Sequence, residues 1–214
     1  MNLNTEKVKY DDATSDALAN ACRTVAQNID NALPPLKNSL TTALEEFKGH
    51  YADVAAANID TTISDGRDIA SIFRQLADVV DRLKESAHKE NENRDLMYHY
   101  EHDLGGFRKW WVETFGGEPP KPTSYKPDTS IDTTSLGHRE STETRSGSMT
   151  VSSARPSTVR ALSNTLANLG TSFDAEPGKL RNLSTEFMVK CQWGSVDAEN
   201  LISTFEAWNK SNAN

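Results

Sequence analysis

The sequence lacks the features that mark disulfide-rich and membrane-spanning proteins. It has only 2 cysteines in 214 residues, too few for a disulfide framework. No run of about 18 apolar residues occurs, so no segment is predicted to span a membrane. The first residues are polar and acidic where a Sec signal peptide needs an apolar core, so we expect no Sec-dependent export of this chain.

Positive charge is also scarce. The 23 Lys and Arg residues are outnumbered by 31 Asp and Glu, which gives a formal net charge of -8. Such a chain repels phosphate backbones and anionic lipid head groups, so we expect no nucleic-acid partner. Hydrophobic residues make up 36% of the chain and aromatic residues 7%, which predicts helices that each bury a single stripe.

The two cysteines, Cys22 and Cys191, lie far apart and belong to no CxxC or Cys/His ligand spacing. We expect both to be small buried apolar residues. A disulfide bridge between the two halves of the chain is the alternative.

Apolar residues recur every three or four positions before Gly49, which predicts one face of a helix. Pro34 and Pro35 interrupt this stripe without changing its phase, and we expect the helix to kink or restart there. The members are Leu18, Cys22, Val25, Ile29, Leu33, Leu36, Leu40, Leu44 and Phe47.

A second stripe follows Gly49 and predicts a helix that continues to about Tyr100. A helix of about fifty residues is roughly 75 Å long and needs a partner along its length. The first helix is that partner in an antiparallel pair joined by a short turn. The second stripe comprises Ala52, Ala55, Ile59, Ile63, Ala70, Phe73, Leu76, Val80, Leu83 and Ala87.

The run "GGFRKWWVETFGG" holds the densest group of aromatic residues. Phe107, Trp111 and Phe115 fall at four-residue spacing, which predicts a short helix between glycine pairs. One interpretation folds this helix over the end of the hairpin. The other makes it a docking or membrane-interface element, because its tryptophans stand beside two basic residues.

Three regions follow from these patterns. Residues 1–116 form a long helical hairpin with the short aromatic helix, and residues 117–155 form a flexible Ser/Thr-rich linker, with a short polar hairpin as the alternative. Residues 156–214 show three more apolar stripes and form a smaller helical module. The predicted fold is therefore all-α and resembles a four-helix bundle.

The acidic and histidine residues indicate no metal centre. Glu85 and His88 have the spacing of a di-iron ligand pair, but such sites need two pairs and only one occurs. Motifs of hydrolases, zinc proteases and nucleotide-binding enzymes are absent from the sequence. We expect no catalytic residue, no metal and no cofactor.

Phe47-Lys48-Gly49 separates the two long stripes. This arrangement resembles the Trp-X-Gly helical-hairpin family of proteins exported by type VII secretion systems, with Phe47 in place of tryptophan. Glycine suits the positive φ of a tight turn, and the aromatic residue caps the seam between the helices. Family members pair with a second hairpin, which residues 156–209 would supply here, with Trp193 and Gly194 as its turn motif.

The resemblance also implies an export signal after the second helix. The family's Tyr-x-x-x-Asp/Glu signal is not matched, because His102 stands four positions after Tyr98. His99 and Asp103 resemble the start of an export motif in related long-hairpin substrates, although Trp110 replaces its closing histidine. The implied recognition residues are Tyr98, His99, Asp103, Phe107, Trp110, Trp111 and Phe115.

The function implied is that of a secreted binding or export module. Its partner would be a helical-hairpin protein or the secretion machinery, and a homo- or hetero-dimer is compatible with this. One alternative is a membrane-active helical toxin whose aromatic run inserts. The other is a cytoplasmic coiled-coil adaptor that is not exported.

Overall fold

The computed structural model describes residues 5–103, 105–106, 114, 125–136 and 151–213, and these are dominated by helices. The predicted all-α class is confirmed. A two-stranded antiparallel bridge joins β1 to β2. The elements are α1 (Asp12–Glu46), β1 (Lys48–Gly49), α2 (His50–His102), β2 (Val151–Ser153), α3 (Pro156–Ser172), α4 (Glu176–Lys190) and α5 (Glu199–Ala213).

Helices α1 and α2 form the predicted antiparallel hairpin. The first stripe is buried from Leu18 to Leu40, and the second is buried at Phe73, Leu76 and Leu83. Exposed ion pairs follow the seam, with 2.6 Å between Lys37 Nζ and Asp60 Oδ1 at one end. Each such pair contributes little, so the hairpin depends mainly on its buried apolar stripes.

The sequence predicts a kink or a restart at the prolines, and the restart is wrong, because α1 continues through Pro34 and Pro35 as one helix. Both proline rings are exposed, whereas Leu33 and Leu36 on either side of them are buried. Burial of the stripe against the rest of the bundle therefore holds the helix together despite the backbone hydrogen bonds that the prolines remove.

The chain reverses where the sequence predicts. Helix α1 ends at Glu46, and Phe47 donates its backbone N–H to the carbonyl of Ala43 at 2.9 Å. Gly49 has a φ of 106° and a ψ of -178° and directly precedes α2. This conformation is accessible almost exclusively to glycine.

The three C-terminal helices close a bundle on the hairpin through a shared core. The ring of Phe205 in α5 meets the ring of Phe73 in α2 edge to face, with 5.4 Å between centroids. Trp208 also reaches α2 and donates its indole N–H to the carbonyl of Thr62 at 3.0 Å. Helices α3 and α4 pack against α1.

Two parts of the region predicted as a linker lie against the hairpin. Strand β2 pairs with β1 at the reversal, and the Ser153 hydroxyl donates to the carbonyl of Glu46 at 2.8 Å. Residues 125–136 lie along α2. Strand β2 thus pairs with a strand about one hundred residues earlier in the chain. The local polar hairpin that the sequence offers as an alternative lies mostly outside the described residues.

Both cysteines are buried and unbridged, as the sequence predicts. Burial raises the pKa of the Cys22 thiol to about 12, so this thiol stays protonated and unreactive near neutral pH. The pKa of the Cys191 thiol is also raised, chiefly by burial.

Candidate functional site

Helix α2 extends well past the start of α1. His88 Nε2 lies 3.0 Å from the carboxylate of Asp12, the first residue of α1. The remaining residues 89–102 therefore extend about 20 Å further. Residues ahead of α1 follow the first part of this extension, where Val8 donates its backbone N–H to Asn91 Oδ1 at 2.7 Å.

The last two turns of α2 have one buried and one exposed face. Met97 and Tyr100 are buried, whereas Leu96 is 63% exposed and Tyr98 is 46% exposed. The ring of Tyr98 stacks on His102, with 4.3 Å between centroids and 12° between planes. We call Leu96, Tyr98, His99, His102 and Asp103 the α2 end patch.

The α2 end patch brings together three residues that the sequence predicts for recognition. His99 Nδ1 bonds the carboxylate of Asp103 one turn later, and both side chains are exposed. Together with Tyr98 they form an exposed surface with aromatic, imidazole and carboxylate groups. The other four predicted recognition residues, Phe107, Trp110, Trp111 and Phe115, lie outside the described residues.

The structure places Trp193 and Gly194 far from the reversal at Gly49. They follow α4, and the Trp193 indole N–H donates to Ser86 Oγ at 2.9 Å. A Cβ at Gly194 would lie 2.4 Å from Leu83 Cδ2, so the chain passes very close to α2 here. Since Ser86 and Gly49 are about 37 residues apart on α2, the two motifs are separated by roughly 55 Å.

A buried ion pair beside Trp193 was not predicted. Glu90 Oε1 lies 2.8 Å from Arg94 Nε, and their side chains are only 6% and 14% exposed. The Arg94 guanidinium also sits 5.7 Å from the centroid of the Trp193 ring, in a cation–π contact. The position of Glu90 could have indicated that this carboxylate is buried, because Glu90 continues the apolar stripe of Leu83 and Ala87.

A strap of irregular chain, residues 125–136, runs antiparallel to α2 and ends in a turn at residues 133–136. At one end the backbone carbonyl of Tyr125 accepts from the Ser86 hydroxyl and from the Trp193 indole N–H. At the other end Leu136 lines a pocket together with Ile69. The strap therefore lies in the groove between α2 and α5, and no periodic pattern in the sequence indicates it.

The Glu85 and His88 pair is divided between different partners. Glu85 Oε1 lies 2.6 Å from Lys89 Nζ, and His88 bonds Asp12 on α1. Across the residues that the structure describes, no group of three or more His, Cys, Asp or Glu side chains is arranged to hold a metal ion. Within the same part of the chain, none of the helices is both long enough and apolar enough to cross a membrane.

The fold defines the chain as an all-α bundle built on a long antiparallel hairpin, with an exposed patch at the end of α2 and a strap along its side. No family model, no curated protein and no solved structure matches the chain.

Proposed function

We propose that the chain is a non-enzymatic binding and export module: a secreted substrate, or the targeting portion of one, in a type VII-like secretion pathway. It acts by association with a helical-hairpin protein or with the secretion machinery. Two observations together support this proposal. The chain reverses at an aromatic-x-glycine motif, Phe47 to Gly49, and the second helix of the hairpin is longer than the first and extends past its start.

The α2 end patch is suited to recognition by another protein. Its side chains stand on a helix, so little backbone entropy is lost when a partner binds. Exposed Tyr98 supplies a large, stiff contact surface of the kind that dominates protein interfaces. His99 and Asp103 add hydrogen-bonding groups that fix the orientation of a partner.

The contact between the α2 end patch and a partner is expected to have polar and aromatic groups at its centre. The hairpin's apolar stripes are buried within this chain's own bundle, so they are not available for a second hairpin without rearrangement. A partner would instead dock on the exposed face at the end of α2, in the manner of a helix presented to a groove.

Replacing Tyr98, His99 and Asp103 together by alanine should abolish export. These side chains are exposed, so we expect the free energy of unfolding to change by less than about 1 kcal/mol and the helicity measured by circular dichroism to stay the same. The measurement is the amount of chain in the culture medium relative to the cells, in a host with an intact type VII system. We expect at least a tenfold reduction.

The matched control replaces His50, Tyr51 and Asp53 by alanine. These are the same three residue types, and they stand at the opposite end of the same helix. We expect the control to be exported normally. Export of the Tyr98, His99 and Asp103 variant at the wild-type level, or equal loss in both variants, would remove the α2 end patch from the recognition surface.

A further inference from the structure

The groove between α2 and α5 holds the strap mainly through the strap's backbone. The Tyr125 N–H donates to Glu90 Oε2 at 3.4 Å, and the Asp132 N–H donates to Gln75 Oε1 at 3.3 Å. Arg82 donates to the carbonyl of Asp128 at 3.4 Å. Bonds to backbone groups do not depend on the identity of the bound side chains, so this side of α2 can hold many extended sequences.

The geometry is that of a peptide lying along a helix. Seven residue steps from Tyr125 to Asp132 span about 24 Å when extended. The matching stretch of α2, from Glu90 back to Gln75, is about 22 Å long. The strap is therefore nearly extended as far as Asp132, and its hydrogen bonds to α2 lie in this part. It then turns, and Leu136 donates its backbone N–H to the carbonyl of Thr133 at 3.0 Å.

The strap fills the groove incompletely. Its two apolar anchors, Ile131 and Leu136, are only half-buried. A cavity of about 290 Å³ adjoins Ile131 between the strap, Leu76 and Leu201. A second of about 540 Å³ adjoins Leu136 beside Trp208.

We propose that this groove is a peptide-binding site for a segment of another protein that is extended and then turns as the strap does, and that the strap is its internal, displaceable ligand. The hydrogen bonds to Glu90, Gln75 and Arg82 are long, at 3.3–3.4 Å, and the cavities beside Ile131 and Leu136 are unfilled. The strap is therefore a weak occupant beyond its anchored Tyr125 end. A peptide that binds the groove more tightly carries large aromatic side chains at the positions of Ile131 and Leu136, five residues apart, with polar residues between them. The groove can act in this way whether or not the chain is exported.

The test uses three fluorescent peptides and measures their binding by anisotropy. The first has the native sequence of residues 124–137, the second has phenylalanine in place of Ile131 and Leu136, and the third has serine at both. We expect the phenylalanine peptide to bind the full chain about tenfold more tightly than the native peptide, because it buries more apolar surface. The serine peptide should not bind measurably.

Two variants of the full chain locate the binding. Ile131→Ser with Leu136→Ser weakens the internal competitor, so both apolar peptides should bind this variant more tightly than the wild type. Gln75→Ala with Arg82→Ala removes two side chains that bond the strap's backbone, so peptide binding should fall several-fold. Circular dichroism confirms that each variant is folded before it is used.

Three results would overturn the inference. The first is a folded Ile131→Ser, Leu136→Ser variant that binds no peptide. The second is a phenylalanine peptide that binds no better than the serine peptide. The third is a wild-type chain that dimerises and is dissociated best by the native peptide, because the groove would then hold the strap of a second copy and not a foreign segment.

Discussion

Replacing Phe205 by alanine is expected to lower the free energy of unfolding by about 3–5 kcal/mol. Phe205 is fully buried and contacts the rings of Phe73, Phe173 and Trp208. Its loss leaves a cavity where α5 meets α2, which costs the transfer energy of the ring and its packing contacts. Urea unfolding followed by circular dichroism measures the change.

The expected unfolding transition is also single, because the hairpin and the C-terminal helices share one core. The control is Val189→Ala, at a site on α4 that is 60% exposed, and it should change stability by no more than about 0.5 kcal/mol. A Phe205→Ala variant in which the hairpin unfolds separately, at an unchanged midpoint, would contradict the shared core.

Replacing Gly49 by alanine is expected to destabilise the protein by about 2 kcal/mol. Its φ of 106° and ψ of -178° lie in a region that a residue with a Cβ adopts only under strain. The variant must either keep this strain or reshape the reversal between α1 and α2. Thermal unfolding should show a melting temperature lower by several degrees.

The matched control for this prediction is Gly178→Ala. Gly178 lies inside α4, and a Cβ there would meet nothing within 4 Å. Alanine should therefore stabilise this helix by about 0.5–1 kcal/mol, through its better helix propensity. If both glycine variants shifted the melting temperature in the same direction, backbone strain at Gly49 would not explain the effect.

The helices could be predicted because apolar residues recur at regular intervals of three or four positions along their buried faces. The spacing of apolar residues from Leu18 to Leu40 continues in phase across the two prolines. Burial of these same residues holds α1 together as one helix. Gly49 could be predicted as the reversal because it separates two stripes that are each too long to stand alone. Its positive φ supplies the physical reason.

Other features could not be predicted because they depend on distant contacts. The strap is held by bonds from its backbone to side chains of α2, and such bonds leave no pattern in the strap's own residues. Gly194 lies in the connection between α4 and α5, and its small size is required by the approach of Leu83, a contact that the sequence does not indicate. Glu90 lies in an apolar stripe, and its bonds to Arg94 and to the Tyr125 N–H explain why a charge is tolerated there.

The two candidate surfaces lie close to each other on α2. Glu90, at the Tyr125 end of the strap, is eight residues before Tyr98, a distance of about 12 Å along the helix. A partner whose extended segment occupies the groove would thus have its neighbouring residues within reach of the α2 end patch. Such a partner would gain affinity from both sites, through the high effective concentration of the second.

We propose that a type VII-like machinery carries this chain out of the cell. The most direct measurement compares the culture medium of two otherwise identical strains, one with an intact type VII secretion ATPase and one without it, by immunoblot against a cytoplasmic marker. The proposal predicts that the chain is present in the medium of the first strain only. Equal amounts in both media, or none in either while the chain accumulates inside the cells, would contradict it.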